Sequence, residues 1–353
     1  MSTSAPPLPP ETDITALKRL AAGIIRVQGN RFIKDLLRAK GIPLGANKDE
    51  FQLHLAEAIE NGLLVLDDVS EWLSNVEGWG NQHVYLYSLS PSLRQGLVDE
   101  TIRANVSAAG LDAVWNGQTT LAFPDEPTLT SISFKDSVLR ILWQESSPSW
   151  VPAPGKNYQE NEDLDLYEYR AFRQVERRAV TRFEAHLRHG MAALFISDPI
   201  QGAEHQAALD EAHRVIALLM DFPELQKRMF NIAKVSRNLD QKNVPTNDSP
   251  EPEVKTQRSR LASGGSYVEF AANSSSKAYW EESAVQSVRN SVRAEQLPAF
   301  DGAEGVFIFQ PTQDGFDRPF RVQLFGKDNR IRLWAQMDAA EAWAILLKLK
   351  AHK

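Results

Sequence analysis

The period of the hydrophobic pattern changes near Pro127, and that change constrains the fold more than any other feature of the chain. Upstream, residues 13–27, 31–40, 48–61, 67–76 and 91–108 carry apolar side chains at helical spacing, with Asn and Gly between the segments. The aromatic run VYLYSL (84–89) fits either a strand or a turn of buried helix. Downstream, β-branched and aromatic residues dominate: SISFKDSVLRILWQE (131–145) reads as a strand, followed by a polar, acidic loop from Ser146 to about Asp165.

LYEYRAFRQV (166–175), AVTRFEAHLRH (179–189) and MAALFISDP (191–199) read as further strands joined by tight turns. Phe183, Ala185 and Leu187 alternate with Arg182, Glu184, His186 and Arg188, which predicts an antiparallel meander with one wet face. A helix from Ala203 would place Leu209, Ala212, Ile216 and Leu219 inward, and Pro223 opens another with Leu225, Met229 and Ile232. Residues 238–266 hold proline, acids and Gly-Gly with almost no large apolar side chain, the composition of a linker. WEESAVQSVRNSVR (280–293) has a helical pattern. VFIFQ (306–310), FRVQLF (320–325) and RIRLWAQ (330–336) are strands, the last two joined by a hairpin turn at Gly326-Lys327-Asp328-Asn329. Asp338 and Glu341 form a capping box ahead of a final helix bearing Trp343, Leu346 and Leu347.

The expected class is therefore α+β. A disordered leader (1–12) precedes a helical N-terminal domain (13–120), then an antiparallel β-meander domain with packed helices (128–237). A flexible linker (238–266) leads to a helix, a β-hairpin and a C-terminal helix (267–353). With no cysteine, the chain has no disulfide, thiol nucleophile or thiolate metal site. The start, MSTSAPPLPPETD, lacks the layout of a signal peptide, and no apolar run approaches the ~20 residues of a membrane helix. No membrane association is expected, and a cytoplasmic or chromosome-associated location is.

Within 32–55, FIKDLLRAKGIPLGANKDEFQLHL, Ile33, Leu36 and Leu37 form one apolar stripe and Phe51, Leu55, Ala58 and Ile59 a second. Gly41 and Pro43 stop the first helix, and Asn47 with Glu50 caps the next. From Lys18 to Lys48 the chain has eight basic residues against one acid, Asp35, although its net charge is −7. Any anion-binding surface must then be a patch. This stretch resembles the SAP motif, a two-helix DNA-binding module, through Ile33, Leu36, Leu37, Gly41-Ile42-Pro43, Gly45, Lys48, Phe51 and Leu55. It departs from that motif in placing Gly45 three residues before Lys48 rather than two. The resemblance implies that Arg31, Lys34, Arg38, Lys40 and Lys48 meet backbone phosphates. The plainer alternative is a helical hairpin with a solvated basic face.

A second cluster comprises Arg170, Arg173, Arg177, Arg178, Arg182 and Arg188, read as lying on two adjacent strands and their turn. Guanidiniums on a sheet could clamp phosphates, with His186, Phe172 and Tyr169 stacking on bases. Alternatively they form a solvated face balanced by Glu168, Glu176 and Glu184. The order of elements also resembles, more weakly, the kinetochore centromere protein N family. HVYLYSLS (83–90), SISFKDSVLRILW (131–143), LFISDP (194–199) and AVQSVRNSVRAEQLP (284–298) carry that likeness, which implies a non-enzymatic nucleoprotein-binding scaffold.

Enzyme signatures are missing from the sequence. It has no GxxxxGK[ST] loop, GxGxxG fingerprint, HExxH pair or GxSxG elbow. Glu251, Glu253 and Lys255 imitate part of a nuclease motif, but that chemistry needs a rigid strand and these residues fall in the expected linker. The function expected is thus a non-catalytic DNA-binding or nucleoprotein-binding subunit of a larger assembly, in genome maintenance or in defence against foreign DNA. No cofactor or metal is expected. The partners are DNA, duplex favoured over RNA, and a protein subunit. The rival reading is a protein-interaction adaptor that binds no nucleic acid.

Overall fold

The structure, a computed structural model, describes residues 10–117, 124–162, 165–197, 203–242, 253–260, 267–271, 283–285, 287, 288, 291, 301–311 and 317–353. It has the expected α+β class: N-terminal helices, a large antiparallel sheet with packed helices, and a closing hairpin and helix. The chain divides into two compact units, one of residues 1–77, 118–130 and 143–180, the other of 78–117, 131–142 and 181–353. The helical domain expected over 13–120 therefore ends at Glu77. The residues after it supply β1 (Gly80–Ser88), a strand in the middle of the sheet.

In the first unit, α1 (Pro10–Val27), α2 (Asn30–Ala39), α3 (Lys48–Glu60) and α4 (Leu66–Val76) share one core. Leu20, Ile25, Ile33, Leu37, Phe51, Leu55 and Leu73 are buried in it, as the spacing of the apolar residues requires. The same unit holds a two-stranded sheet of β4 (Tyr158–Glu162) and β5 (Asp165–Tyr169).

The larger sheet runs β2-β3-β6-β7-β1-β12-β11-β10-β8-β9. Its strands are β2 (Thr128–Lys135), β3 (Val138–Pro152), β6 (Phe172–His186), β7 (Met191–Ser197), β8 (Glu253–Arg260), β9 (Tyr267–Ala271), β10 (Asp301–Phe309), β11 (Phe320–Phe325) and β12 (Arg330–Gln336). Against one face pack α9 (Ile232–Lys242) and α10 (Ala339–Ala351), burying Val84, Leu86, Phe195, Phe307, Phe320, Val322, Leu324, Ile331 and Leu333. On the other face, α7 (Ala203–Leu219) meets β1 and β7, and the Tyr85 hydroxyl lies 3.0 Å from His205 Nε2. Burial on both faces explains why VYLYSL showed no clean alternation.

Several expected boundaries move. The run 131–145 is a hairpin rather than one strand, because Asp136 (φ 55°) and Ser137 (φ 63°) make a two-residue left-handed turn between β2 and β3. The loop expected over 146–165 is largely strand, in β3 and β4. Residues 172–186 form one 15-residue strand, so Arg177 and Arg178 sit within β6 and not in a turn. Residues 91–108 split into α5 (Pro91–Gly96) and α6 (Asp99–Ala108), and Pro223 opens α8 (Phe222–Gln226), which stops before Met229. The linker expected over 238–266 begins inside α9 and contains β8, which pairs with β10. Long-range pairing supplies what its composition lacks; the remaining residues of that segment, 243–252 and 261–266, lie outside the described residues. So do 1–9 of the expected leader and most of the expected helix 280–293, of which 283–285, 287, 288 and 291 are helical.

Candidate nucleic-acid interface

The α2–α3 turn is closely specified by its own residues. The Gly41 N–H donates to Arg38 O and the Ile42 N–H to Leu37 O at 2.8 Å, a double closure that needs the left-handed φ of +65° at Gly41. The Asn47 side chain accepts from the Glu50 N–H at 3.0 Å, while Glu50 reaches back to the Ala46 N–H at 2.8 Å. A Cβ at Gly45 would fall 2.6 Å from Glu50 Cβ, so the close packing of this loop calls for glycine.

The basic residues on this frame are less available than their spacing suggests. Lys40 forms an ion pair with Asp68, whose pKa is held down chiefly by that lysine's hydrogen bond and then by the Val65 N–H. Lys48 Nζ donates to the Gln28 carbonyl at 3.0 Å. Arg38 pairs with Asp35 at 2.9 Å, both side chains well exposed, and Lys18 pairs with Glu60. The Arg31 guanidinium lies 4.6 Å from the Phe32 ring centroid, and Lys34 Nζ lies 5.9 Å from that of Phe51. What α2 presents is thus a short row, Arg31, Lys34 and Arg38, beside a glycine-dependent loop.

The middle arginines do not form one surface. Arg178 is buried and pairs with Glu77 at 3.0 Å. Arg182, expected on a wet face, is 8% exposed; its guanidinium lies 4.4 Å from the Trp79 ring centroid and 3.4 Å from Glu184 Oε1. The alternation was read correctly, but α10 covers that face, and Trp343 Nε1 donates to Glu184 Oε2 at 2.9 Å. Glu184 also accepts from Arg140 at 3.2 Å and contacts His186 at 2.9 Å. Burial pushes the Glu184 carboxyl up, but the His186 hydrogen bond and the charges of Arg182 and Arg140 outweigh it and bring the pKa to about 2. This is a structural ion cluster, and the His186 ring lies tilted at 39° against Trp343 within it, centroids 3.8 Å apart. Arg170, Arg173 and Arg188 are exposed, Arg170 beside Glu168 at 3.2 Å. The side chain of Arg177 lies outside the described residues.

The sequence reading names Tyr169 and Phe172 but misses the rest of the exposed aromatic residues of the first unit. Tyr158 and Tyr169 stack across the β4–β5 pair, centroids 4.6 Å apart, and every residue of β5 is exposed. Trp150, Leu166, Tyr167 and Phe172 are exposed as well. LYEY falls in the strand expected over 166–175, but the acids around Tyr158 placed its partner strand β4 in the expected loop, which hid the cross-strand pair.

No cluster of metal-ligating side chains and no helix long and apolar enough to cross a membrane occurs among the described residues. Glu253 and Lys255 lie on strand β8 and not in a linker, so that ground for setting aside the nuclease triplet does not hold. Their side chains, and Glu251, lie outside the described residues. Comparison with protein-family models and with curated proteins gives no match.

Proposed function

We propose that the chain is a non-catalytic nucleic-acid-binding or nucleoprotein-binding protein, an architectural or recruitment subunit that contacts duplex DNA through the α2–α3 hairpin. The observation that carries this reading is the row Arg31, Lys34 and Arg38 on α2, next to a loop that requires Gly45 and is capped by Asn47. Cations in a row along one helix suit the phosphates of a nucleic-acid backbone. Lys40 and Lys48 brace the hairpin through Asp68 and Gln28 and contribute less to binding than the three residues on α2. The SAP-like pattern supports the same reading, and a cytoplasmic or chromosome-associated setting accords with it. Arg170, Arg173 and Arg188 remain as secondary contacts; Arg178 and Arg182 drop out.

A gel shift with duplex DNA across salt concentrations tests the proposal. Log affinity should fall by about 0.9 per phosphate contact for each log unit of salt. Absence of binding at low salt defeats it. The second reading, a protein-interaction adaptor, is favoured by one observation, the exposed aromatic strip of β4–β5. A two-stranded sheet is marginal in water unless something covers it, and exposed aromatic side chains are typical of interface anchors. Under that reading, serine at both Tyr158 and Tyr169 abolishes a protein contact and leaves DNA affinity alone.

A further inference from the structure

The face of β11–β12 turned away from the α9–α10 core carries Arg321, Gln323, Phe325, Arg330, Arg332 and Trp334. Register places Gln323 opposite Arg332 and Phe325 opposite Arg330, so the set forms one contiguous patch. The Arg332 guanidinium lies 3.7 Å from the Trp334 ring centroid and that of Arg321 lies 5.1 Å from it. Arg330 repeats the arrangement over Phe325 at 4.5 Å. Trp334 Nε1 donates to Gln323 Oε1 at 3.1 Å, which holds the indole in place. Trp334 is 36% exposed, whereas Leu333 beside it on the other face is fully buried.

Among the described residues, Arg321, Arg330, Arg332 and Lys327 of the turn stand here with two acids, Asp328, 3.6 Å from Arg330, and Glu304, which accepts from Gln323. The patch is therefore positive in a chain of net charge −7. A guanidinium stacked on a ring keeps its in-plane N–H donors for hydrogen bonding, and such donors match phosphate oxygens. An indole edge between stacked guanidiniums extends a planar layer that an unpaired base can join.

We propose that this face binds single-stranded nucleic acid, with an unpaired base stacked on the Trp334–Arg332 layer and flanking phosphates held by Arg321, Arg330 and Lys327. A duplex keeps its bases paired and stacked inside, out of reach of a flat sheet face, so the site selects unpaired strands. The inference stands apart from the α2–α3 reading, since it uses other residues and another ligand.

The test uses the full chain and a fluorescein-labelled oligothymidylate of about 20 nucleotides, read by anisotropy at about 50 mM salt. Trp334→Ala should weaken binding about tenfold, while Trp334→Phe retains most of it. Arg321→Gln with Arg330→Gln should weaken it and flatten the salt slope by about 0.7 per lost contact. Trp334→Ala should leave the affinity for duplex DNA intact, which separates this proposal from the α2–α3 reading. The proposal is overturned if the wild-type chain does not bind the oligonucleotide, or if folded Trp334→Ala binds it as tightly as wild type. Equal displacement by polyglutamate and by unlabelled oligothymidylate also overturns it, marking a general acid-binding patch. The arginine pair and Trp334→Phe keep the test decisive should Trp334→Ala fail to fold.

Discussion

Arg178 and Glu77 form an ion pair at 3.0 Å with side chains 0% and 9% exposed. Burial pulls the Arg178 pKa down, and the charge of Glu77 beside it opposes that fall inside the first unit. An arginine held in this way is a part of the core and not a phosphate ligand. Removing one partner strands a buried charge, and Arg178→Ala or Glu77→Ala is expected to cost about 3–5 kcal/mol. Urea denaturation measures that loss. A cost below about 1 kcal/mol would place the pair in solvent.

Glu184 gives the chain an acid-sensitive element. Its folded pKa of about 2 lies below its ordinary value of 4.5, so between those limits the unfolded chain binds more protons than the folded one. The contribution to stability is complete above about pH 5, amounts to about 3 kcal/mol, and is lost as pH falls toward 2. Chemical denaturation from pH 6 down to about pH 3 should show a stability difference between wild type and Glu184→Gln that shrinks with acidification. A difference independent of pH would show that the carboxylate is not ionised by this cluster.

Gly80 is required by a close approach. Its φ is +75°, and an added Cβ would stand 2.1 Å from Ala335 O, where β1 and β12 pair across an irregular step in register. Gly80→Ala meets both the left-handed penalty of about 1–2 kcal/mol and a backbone clash. A fall of several degrees or more in Tm is expected. By contrast Gly62, with φ +68° and nothing near its Cβ direction, should show only the first penalty on the same substitution.

Charge reversal on α2 separates binding from packing. Arg38 and Lys34 lie off the stripe of Ile33, Leu36 and Leu37, and the Arg38–Asp35 pair is exposed and weak. Lys34→Glu with Arg38→Glu should reduce duplex affinity and flatten its salt dependence while Tm stays nearly constant. Leu37→Ala should do the opposite, costing about 2–5 kcal/mol because Leu37 is fully buried. Equal losses of stability from both would refute the assignment of faces.

Local chemistry alone determined a good deal of this protein. The α2–α3 hairpin, with its glycine closure at Gly41 and its cap at Asn47, followed from residues within a few positions of one another. So did β11, β12 and the Asp338–Glu341 capping box, since each hydrogen bond involved closes a short loop. Tertiary structure decided the rest. Residues 253–260 have the composition of a linker and become a strand because β10 supplies the partner. Arg182 and Glu184 alternate as a wet face should, yet they are buried because Trp343, 159 positions from Glu184, closes over them. Lys40 and Lys48 looked like phosphate ligands until Asp68 and Gln28 came within reach. Periodicity reports which side chains share a face; only the packing of distant segments decides whether water or another element covers that face.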